Sequence, residues 1–381
     1  MNVGSHVGRT LLTVAPVASP SAPTAPTVAI NGFGRIGRAL FRICLDRNDI
    51  RLVAVNHTAA SIEHLLSAIH HDSTHGACLH SSEIIVAPAD HPEQLQPTAN
   101  NPTPSALLYR GRIIHLFSHR DPVKLDWSSA GADYIMESTG KMTTVATASV
   151  HISKAKGKKV IISAPSKDAR NLVYGVNHTD YSGDDVVSNA SCTTNCLAPV
   201  ASVLHKAFGV ENGMMTTIHA STASQKVLDG FSAKDIRSGR SAMGNIIPAT
   251  TGAAKAVVKV LPELEGKFQG ISVRVPVTNV SLVDLTVTTT KPFESKEELM
   301  AAFTTAANTP VSEGGLKGVL GVSMEKLVSS DYLTSSQSST IDVDASIVLD
   351  NHTAKVIAWY DNEYGFANRM CDLALYMSTR D

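Results

Sequence analysis

Residues Thr27–Arg38, TVAINGFGRIGR, govern how the rest of the chain is read. A short apolar run, Thr27–Asn31, ends in Gly32-Phe33-Gly34-Arg35-Ile36-Gly37, and a helical pattern over Ile36–Asp46 follows at once. GxGxxG between a strand and a helix gives each glycine a task. Gly32 permits the tight turn, Gly34 lets the backbone approach a pyrophosphate, and Gly37 lets helix and strand pack closely. The N–H groups that open the helix then face the phosphates. A second strand pattern, Ile50–Asn56 (IRLVAVN), completes a strand–helix–strand unit and implies a parallel sheet. An Asp or Glu at the end of that strand would hold the adenosine ribose and repel a 2′-phosphate. Here the strand runs Val55-Asn56-His57. A partly protonated His57 would favour a 2′-phosphate, so the residues leave NAD and NADP both open.

Further along, strand composition recurs at Arg112–Phe117, Tyr134–Glu137 and Lys159–Ala164. Between them Ala87–Ser105, rich in Pro, Asn, Thr and Gln, reads as a surface loop insertion. After Cys192 the texture changes. Ile271–Val275, Ser281–Thr289, Ile341–Leu349 and Thr353–Tyr360 predict strands, separated by turns and by a helix over Ser295–Asn308. Their short Val- and Thr-rich runs suggest a mixed or antiparallel sheet. A helix over Phe366–Met377 follows. Residues 1–26 stand apart: Pro16, Pro20, Pro23 and Pro26 fall among small residues, and the first acid of the chain is Asp46. They read as a flexible extension. Their lack of acids fits an organellar address, whereas a single arginine, Arg9, argues against one.

The composition sets outer limits. The chain has 381 residues, 43% hydrophobic and 18% charged, enough apolar content for two domains and too much for wholesale disorder. A net charge of −1 offers no global basic field for nucleic acid. No apolar run reaches the ~20 residues of a membrane span. Five irregularly spaced cysteines make a disulfide framework an unlikely design and fit a reducing compartment, the cytoplasm.

The candidate nucleophile lies in Ser191-Cys192-Thr193-Thr194-Asn195-Cys196, ahead of an apolar helical pattern at Leu197–Phe208. A cysteine at a helix N-terminus has its thiolate favoured by free N–H groups, and a thiolate attacks an aldehyde carbon readily. Cys196 reads as a buried small apolar residue. No further ligands accompany the cysteine pair, and His71 and His75 lack the glutamate of HExxH, so no metal site is expected. His219 ends a strand-like run, Met214–Ile218, but the sequence alone does not single it out from 14 other histidines.

Seven ordered segments then resemble the phosphorylating glyceraldehyde-3-phosphate dehydrogenases: Ile30–Arg38, His71–Gly76, Ile162–Pro165, Ser188–Pro199, Thr250–Val257, Arg274–Leu285 and Trp359–Gly365. The resemblance runs from about Thr27 to Asp381. It implies an α/β fold in which a Rossmann dinucleotide-binding domain (27–190 and 359–381, with the C-terminal helix) joins an α+β catalytic domain (191–358) with a large mixed or antiparallel sheet. It implies Cys192 as nucleophile and His219 as its proton-transfer partner. For the substrate phosphate and attacking inorganic phosphate it implies Ser191, Thr193, Thr222, Thr251, Gly252 and Arg274. For the cofactor, NAD in most of the family, it implies Gly32, Gly34, Arg35, Ile36, Gly37, Asn56, His57, Arg120, Ser163 and Asn362. Arg35 would lie near the pyrophosphate, Ile36 near the nicotinamide, and Asn362 would hold the carboxamide. The family is homotetrameric.

The chain departs from the family pattern in four places. His57 replaces the usual Asp. Phe231 follows Leu228-Asp229-Gly230 where Pro is usual, in a loop that reaches a neighbouring subunit's adenosine site. These two changes bring NADP into consideration. Ser221 replaces an aromatic beside the catalytic histidine, and the extension and the Ala87–Ser105 insertion are additional. Ser221 and Phe231 suggest a specialised second copy that withstands a thiol-directed inhibitor. Erythrose-4-phosphate dehydrogenase and a non-catalytic binding protein on the same fold are the alternatives.

Overall fold

The computed structural model describes residues 25–232 and 235–381. Residues 1–24, most of the expected extension, lie outside the described residues.

Two sheets organise the chain. The first has nine strands in the order Ile84–Val86, Ser105–Tyr109, Arg112–Phe117, Arg51–Asn56, Thr27–Asn31, Tyr134–Glu137, Lys159–Ile162, Val186–Ser188, Arg170–Asn171. From Arg112–Phe117 onward every pairing is parallel. The outer hairpin is antiparallel. Its two-residue turn, Arg110-Gly111, has φ of 49° and 73°, the double left-handed turn that matches strand twist. The expected insertion, Ala87–Ser105, is irregular and mostly exposed over 87–104, and its last residue already belongs to the strand Ser105–Tyr109. Thr27–Asn31 sits centrally, so the glycine-rich turn opens above the middle of the sheet, where ligands of open α/β sheets bind.

The second sheet has seven strands: Ile247–Thr250, Phe268–Val275, Val210–Ala220, Ser281–Thr289, Thr353–Tyr360, Ser339–Val348, Leu320–Ser323. It is mixed, with two parallel pairings, Val210–Ala220 beside Phe268–Val275 and Leu320–Ser323 beside Ser339–Val348. The helix Cys192–Phe208 contributes Cys196, Leu197, Val200 and Leu204 to the apolar core under this sheet. The C-terminal helix, Tyr364–Ser378, instead packs on the first sheet's side, where Phe366, Met370 and Leu373 meet Leu40 and Cys44 of the helix Arg35–Asp46. The chain therefore leaves the second sheet at Tyr360 and returns to the first within four residues.

The nucleophile helix starts five residues earlier than its apolar pattern suggests. Ser191 caps it by accepting from the Thr194 N–H at 3.0 Å, which draws Cys192-Thr193-Thr194 into the first turn.

Candidate active site

Cys192 is the first residue of that helix, half-buried among its unpaired N–H groups. His219 lies near the end of Val210–Ala220, and its Nε2 is 3.6 Å from Cys192 Sγ. The next strand in register supplies Arg274 directly opposite His219. Arg274 Nη1 lies 2.5 Å from His219 Nδ1 and donates to the Ala220 carbonyl at 3.0 Å. His219 Nδ1 lies 2.8 Å from the same carbonyl.

Two cationic or potentially cationic groups thus converge on one carbonyl. Burial, reinforced by the Arg274 charge, pushes the His219 imidazole down to about 4, although the Ala220 carbonyl works in the opposite direction. Burial raises the Cys192 thiol, opposed by Arg274 and by hydrogen bonding from Thr193. Burial also lowers Arg274, which has no carboxylate in ion-pair range among the described residues. At neutral pH His219 is therefore a neutral base, and Arg274 is a cation lacking an anion. The two partners of Nδ1 ask for different tautomers: a ring hydrogen on Nδ1 goes to the Ala220 carbonyl and turns the Nε2 lone pair to the thiol, whereas the Arg274 guanidinium can only donate to a bare Nδ1.

Tyr360 closes the floor. Its hydroxyl joins Thr193 Oγ1 at 2.9 Å and Thr217 Oγ1 at 2.8 Å, and its ring stands edge-on to His219. The Thr193 hydroxyl is thereby engaged, which leaves its helix-end N–H to meet an anion. Ser191 Oγ is shared with Thr194. Thr222 Oγ1 meets Ser224, while Thr251 Oγ1 accepts from Ala253 N–H, with Gly252 capping the helix Ala253–Val260. Asn362 is buried. Its Oδ1 accepts from Ser281 Oγ at 2.8 Å, and its amide nitrogen has no partner among the described residues.

A cleft of about 490 Å³ opens over the glycine-rich turn, lined by Gly32, Gly34, Asn56, His57, His119 and Arg120 among others. Gly32 has φ +96°, and a Cβ on Gly37 would fall 2.0 Å from the Gly32 carbonyl oxygen, whereas a Cβ on Gly34 would meet nothing within 4 Å. The outer glycines are required by the fold itself and the middle one borders free space, as a dinucleotide cradle demands.

Four expected residues behave differently here. His57 is buried, which lowers its pKa, and its Nδ1 accepts from Ala59 N–H at 3.1 Å. It is a neutral N–H donor, so the favouring of a 2′-phosphate that partial protonation would bring is removed. The Arg35 guanidinium turns to Asp72 and Glu363, which hold it in two ion pairs, so only its backbone remains for a pyrophosphate. Ser163 and Ile36 lie outside the cleft lining. Ile36 packs on the apolar cluster of its own helix, and Ser163 continues the sheet through its N–H to Glu137.

Against this geometry the comparisons are specific. The model of the glyceraldehyde 3-phosphate dehydrogenase NAD binding domain matches residues 26–145, and that of the C-terminal domain matches residues 191–362. The chain belongs to the glyceraldehyde-3-phosphate dehydrogenase family. It is 46% identical over 355 residues to a cytosolic glyceraldehyde-3-phosphate dehydrogenase of Chlamydomonas reinhardtii, covering 93% of this chain and 97% of that one. It is 47% identical over 352 residues to a glyceraldehyde-3-phosphate dehydrogenase of Ogataea parapolymorpha, covering 92% and 98%. A chloroplastic relative from Arabidopsis thaliana is 48% identical over 352 residues, covering 92% and 78%.

In this family member the structure also ties Asn56 to polar residues that the sequence did not single out. Beneath the cleft, Asn56 donates to Asn31 Oδ1 at 2.7 Å and Asn31 donates to Glu137 at 2.5 Å. His151 Nε2 lies 2.9 Å from the same carboxylate, and Trp127 Nε1 donates to His151 Nδ1 at 3.1 Å. That last bond places the His151 hydrogen on Nε2, facing Glu137. Tyr360 and Ser281 sit inside segments that carried the resemblance, but pairing across 60 or more residues has no local signature.

Proposed function

We propose that this family member is a phosphorylating dehydrogenase that oxidises glyceraldehyde 3-phosphate to 1,3-bisphosphoglycerate through a thioester on Cys192. The observation that carries the reading is Cys192 at a helix N-terminus, 3.6 Å from a neutral His219, beside the carboxylate-free Arg274. His219 Nε2 takes the thiol proton as Cys192 Sγ bonds to the aldehyde carbon, and the proton passes to the carbonyl oxygen. A nicotinamide dinucleotide bound over the glycine-rich turn supplies the hydride acceptor. His219 takes the hydroxyl proton of the thiohemiacetal as the thioester forms. A phosphate oxygen then attacks the thioester carbon, and Cys192 departs as thiolate, which the helix N-terminus favours. The aldehyde is oxidised by two electrons, and its energy is kept in the acyl phosphate. Arg274 pairs with a phosphate. Ser191, Thr193, Thr222, Thr251 and Gly252 offer hydroxyl or N–H donors to the substrate and attacking phosphates.

NAD is the cofactor, with NADP also accepted. No carboxylate lines the cleft, whereas Arg38, Arg120 and Lys141 do, so nothing there repels a 2′-phosphate. The dehydrogenase is a homotetramer. Support comes from exposed large apolar side chains at Phe231, Ile236, Leu228, Ile246, Met214 and Ile271, which a monomer would leave in water. The cytoplasm is its compartment, in keeping with five unpaired cysteines. This reading divides the chain into a dinucleotide-binding domain of 27–190 with 359–381 and a catalytic domain of 191–358.

Initial rates with glyceraldehyde 3-phosphate, measured with NAD and NADP and with and without phosphate, test the reading. Phosphate-dependent reduction is expected with NAD, and with NADP at a comparable order. Turnover of erythrose 4-phosphate without phosphate, or no turnover at all, would overturn it.

A further inference from the structure

The peptide groups on either side of Ala220 face two functional side chains at once. The Ala220 carbonyl accepts from Arg274 and lies 2.8 Å from His219 Nδ1. The Ala220 N–H donates to Ser281 Oγ at 3.0 Å. Ser281 O–H in turn donates to Asn362 Oδ1 at 2.8 Å. All three residues are buried: Ala220 is 0%, Ser281 1% and Asn362 6% exposed.

We infer that Ser281 is a positioning residue that orients the Asn362 amide for the nicotinamide cofactor, using the backbone of the residue that also holds the base. The inference rests on the proposed dehydrogenase reading. A hydroxyl has one hydrogen and two lone pairs. With a lone pair committed to the Ala220 N–H, the Ser281 hydrogen can serve Asn362. That bond requires oxygen, not nitrogen, on the Ser281 side of the Asn362 amide. The flipped amide would donate to the remaining Ser281 lone pair and leave the Ser281 O–H without its acceptor in a buried site, where an unmet donor is expensive. One orientation is thereby selected before any ligand arrives, and the amide N–H₂ is left for a carbonyl oxygen such as that of a carboxamide. Preorganisation of this kind lowers the ordering cost of binding. It also fixes the cofactor's grip relative to His219, because both hang from Ala220.

The test uses the full-length enzyme. Calorimetric binding of NAD in the absence of substrate is measured for wild type, Ser281→Ala, Ser281→Cys and Ser281→Thr, alongside kcat, KM for the aldehyde, thermal melting and iodoacetamide alkylation of Cys192. Ser281→Ala is expected to weaken NAD binding roughly 5- to 30-fold, as loss of one orienting hydrogen bond would. Alkylation without cofactor should stay within about twofold, because His219 keeps its Ala220 carbonyl. Ser281→Thr, which keeps the hydroxyl, should retain most of the affinity. Ser281→Cys keeps the volume with a poor donor, and gives the same answer as Ala even where Ala compromises folding. In an Asn362→Ala background, Ser281→Ala should cost no further affinity. Wild-type NAD affinity in both Ala and Cys variants would overturn the inference. So would an equal loss of alkylation rate, or full additivity with Asn362→Ala. A wild-type enzyme with no aldehyde-dependent reduction would instead remove the dehydrogenase reading, whatever the variants show.

Discussion

Two buried polar clusters lie in this molecule, one under the dinucleotide cleft and one at the thiol. In the first, Asn56, Asn31, Glu137, His151 and Trp127 form an ordered chain of hydrogen bonds around a shared carboxylate. In the second, His219 and Arg274 share one carbonyl, and no carboxylate answers the arginine among the described residues. The first cluster meets its own hydrogen-bonding demands and ties strands together, with Asn31 and Asn56 also bordering the cleft. The second is short of acceptors, and an anion would complete it. In the second, burial leaves a displaced imidazole and a cation with no carboxylate in reach among the described residues. A buried polar group is therefore structural or functional according to whether its partners are already present.

The sharpest separation should come from the nucleophile. Cys192→Ser is expected to lower phosphate-dependent turnover by on the order of 10⁴-fold or more while melting near the wild type. A comparable rate would mean that Cys192 does not carry the thioester. Glu137→Ala addresses the other cluster. It strands the Asn31 amide and the His151 N–H, and should reduce unfolding free energy by about 3 kcal/mol or more in denaturant titration, with the turnover of the surviving folded enzyme little changed.

The pH dependence of stability gives a third comparison. His219 is held at about 4 in the folded protein against an ordinary value of 6.5. Between those values the unfolded chain binds the extra proton, so stability rises with pH across the window and is level above it. Its full size is about 3 kcal/mol at 1.36 kcal/mol per pKa unit. His219→Gln should flatten this part of the profile, and an unchanged slope from pH 6.5 to 4 would show that the ring is not held neutral. The smallest effect is expected from Arg274→Met. It should raise KM for the phosphorylated aldehyde roughly 10- to 100-fold, yet leave melting equal to the wild type or slightly higher, since it removes a buried charge that lacks a partner. A marked loss of stability would put Arg274 with the structural cluster instead.

The sequence was a good guide wherever the determinant was local. The Thr27–Arg38 turn, the strands Arg112–Phe117, Tyr134–Glu137, Ser281–Thr289 and Thr353–Tyr360, and the exposed insertion are found where they were expected. Glycine roles follow from φ and from close approach within six residues, and strand patterns from alternation. What depended on distant partners was not legible. Arg35 reads as a phosphate ligand until Asp72 and Glu363, 37 and 328 residues away, are seen to hold it. The charge of His57 is open in the sequence until its burial and the Ala59 N–H make it neutral. The helix start at Cys192 depends on a cap whose acceptor, Ser191, is visible but whose backbone angle is not.

Ala220 carries a last consequence, for how such a site changes over generations. Its contribution is made entirely by main-chain atoms, which every amino acid except proline possesses in full. Substitution at codon 220 therefore leaves the hydrogen-bonding groups in place so long as the side chain fits. A one-residue insertion or deletion in Val210–Ala220 or Ser281–Thr289 has the opposite character, because it slides the ladder that sets Ile218 against Leu282 and turns alternate side chains to the other face. The site should tolerate drift in spelling at this position and very little drift in length.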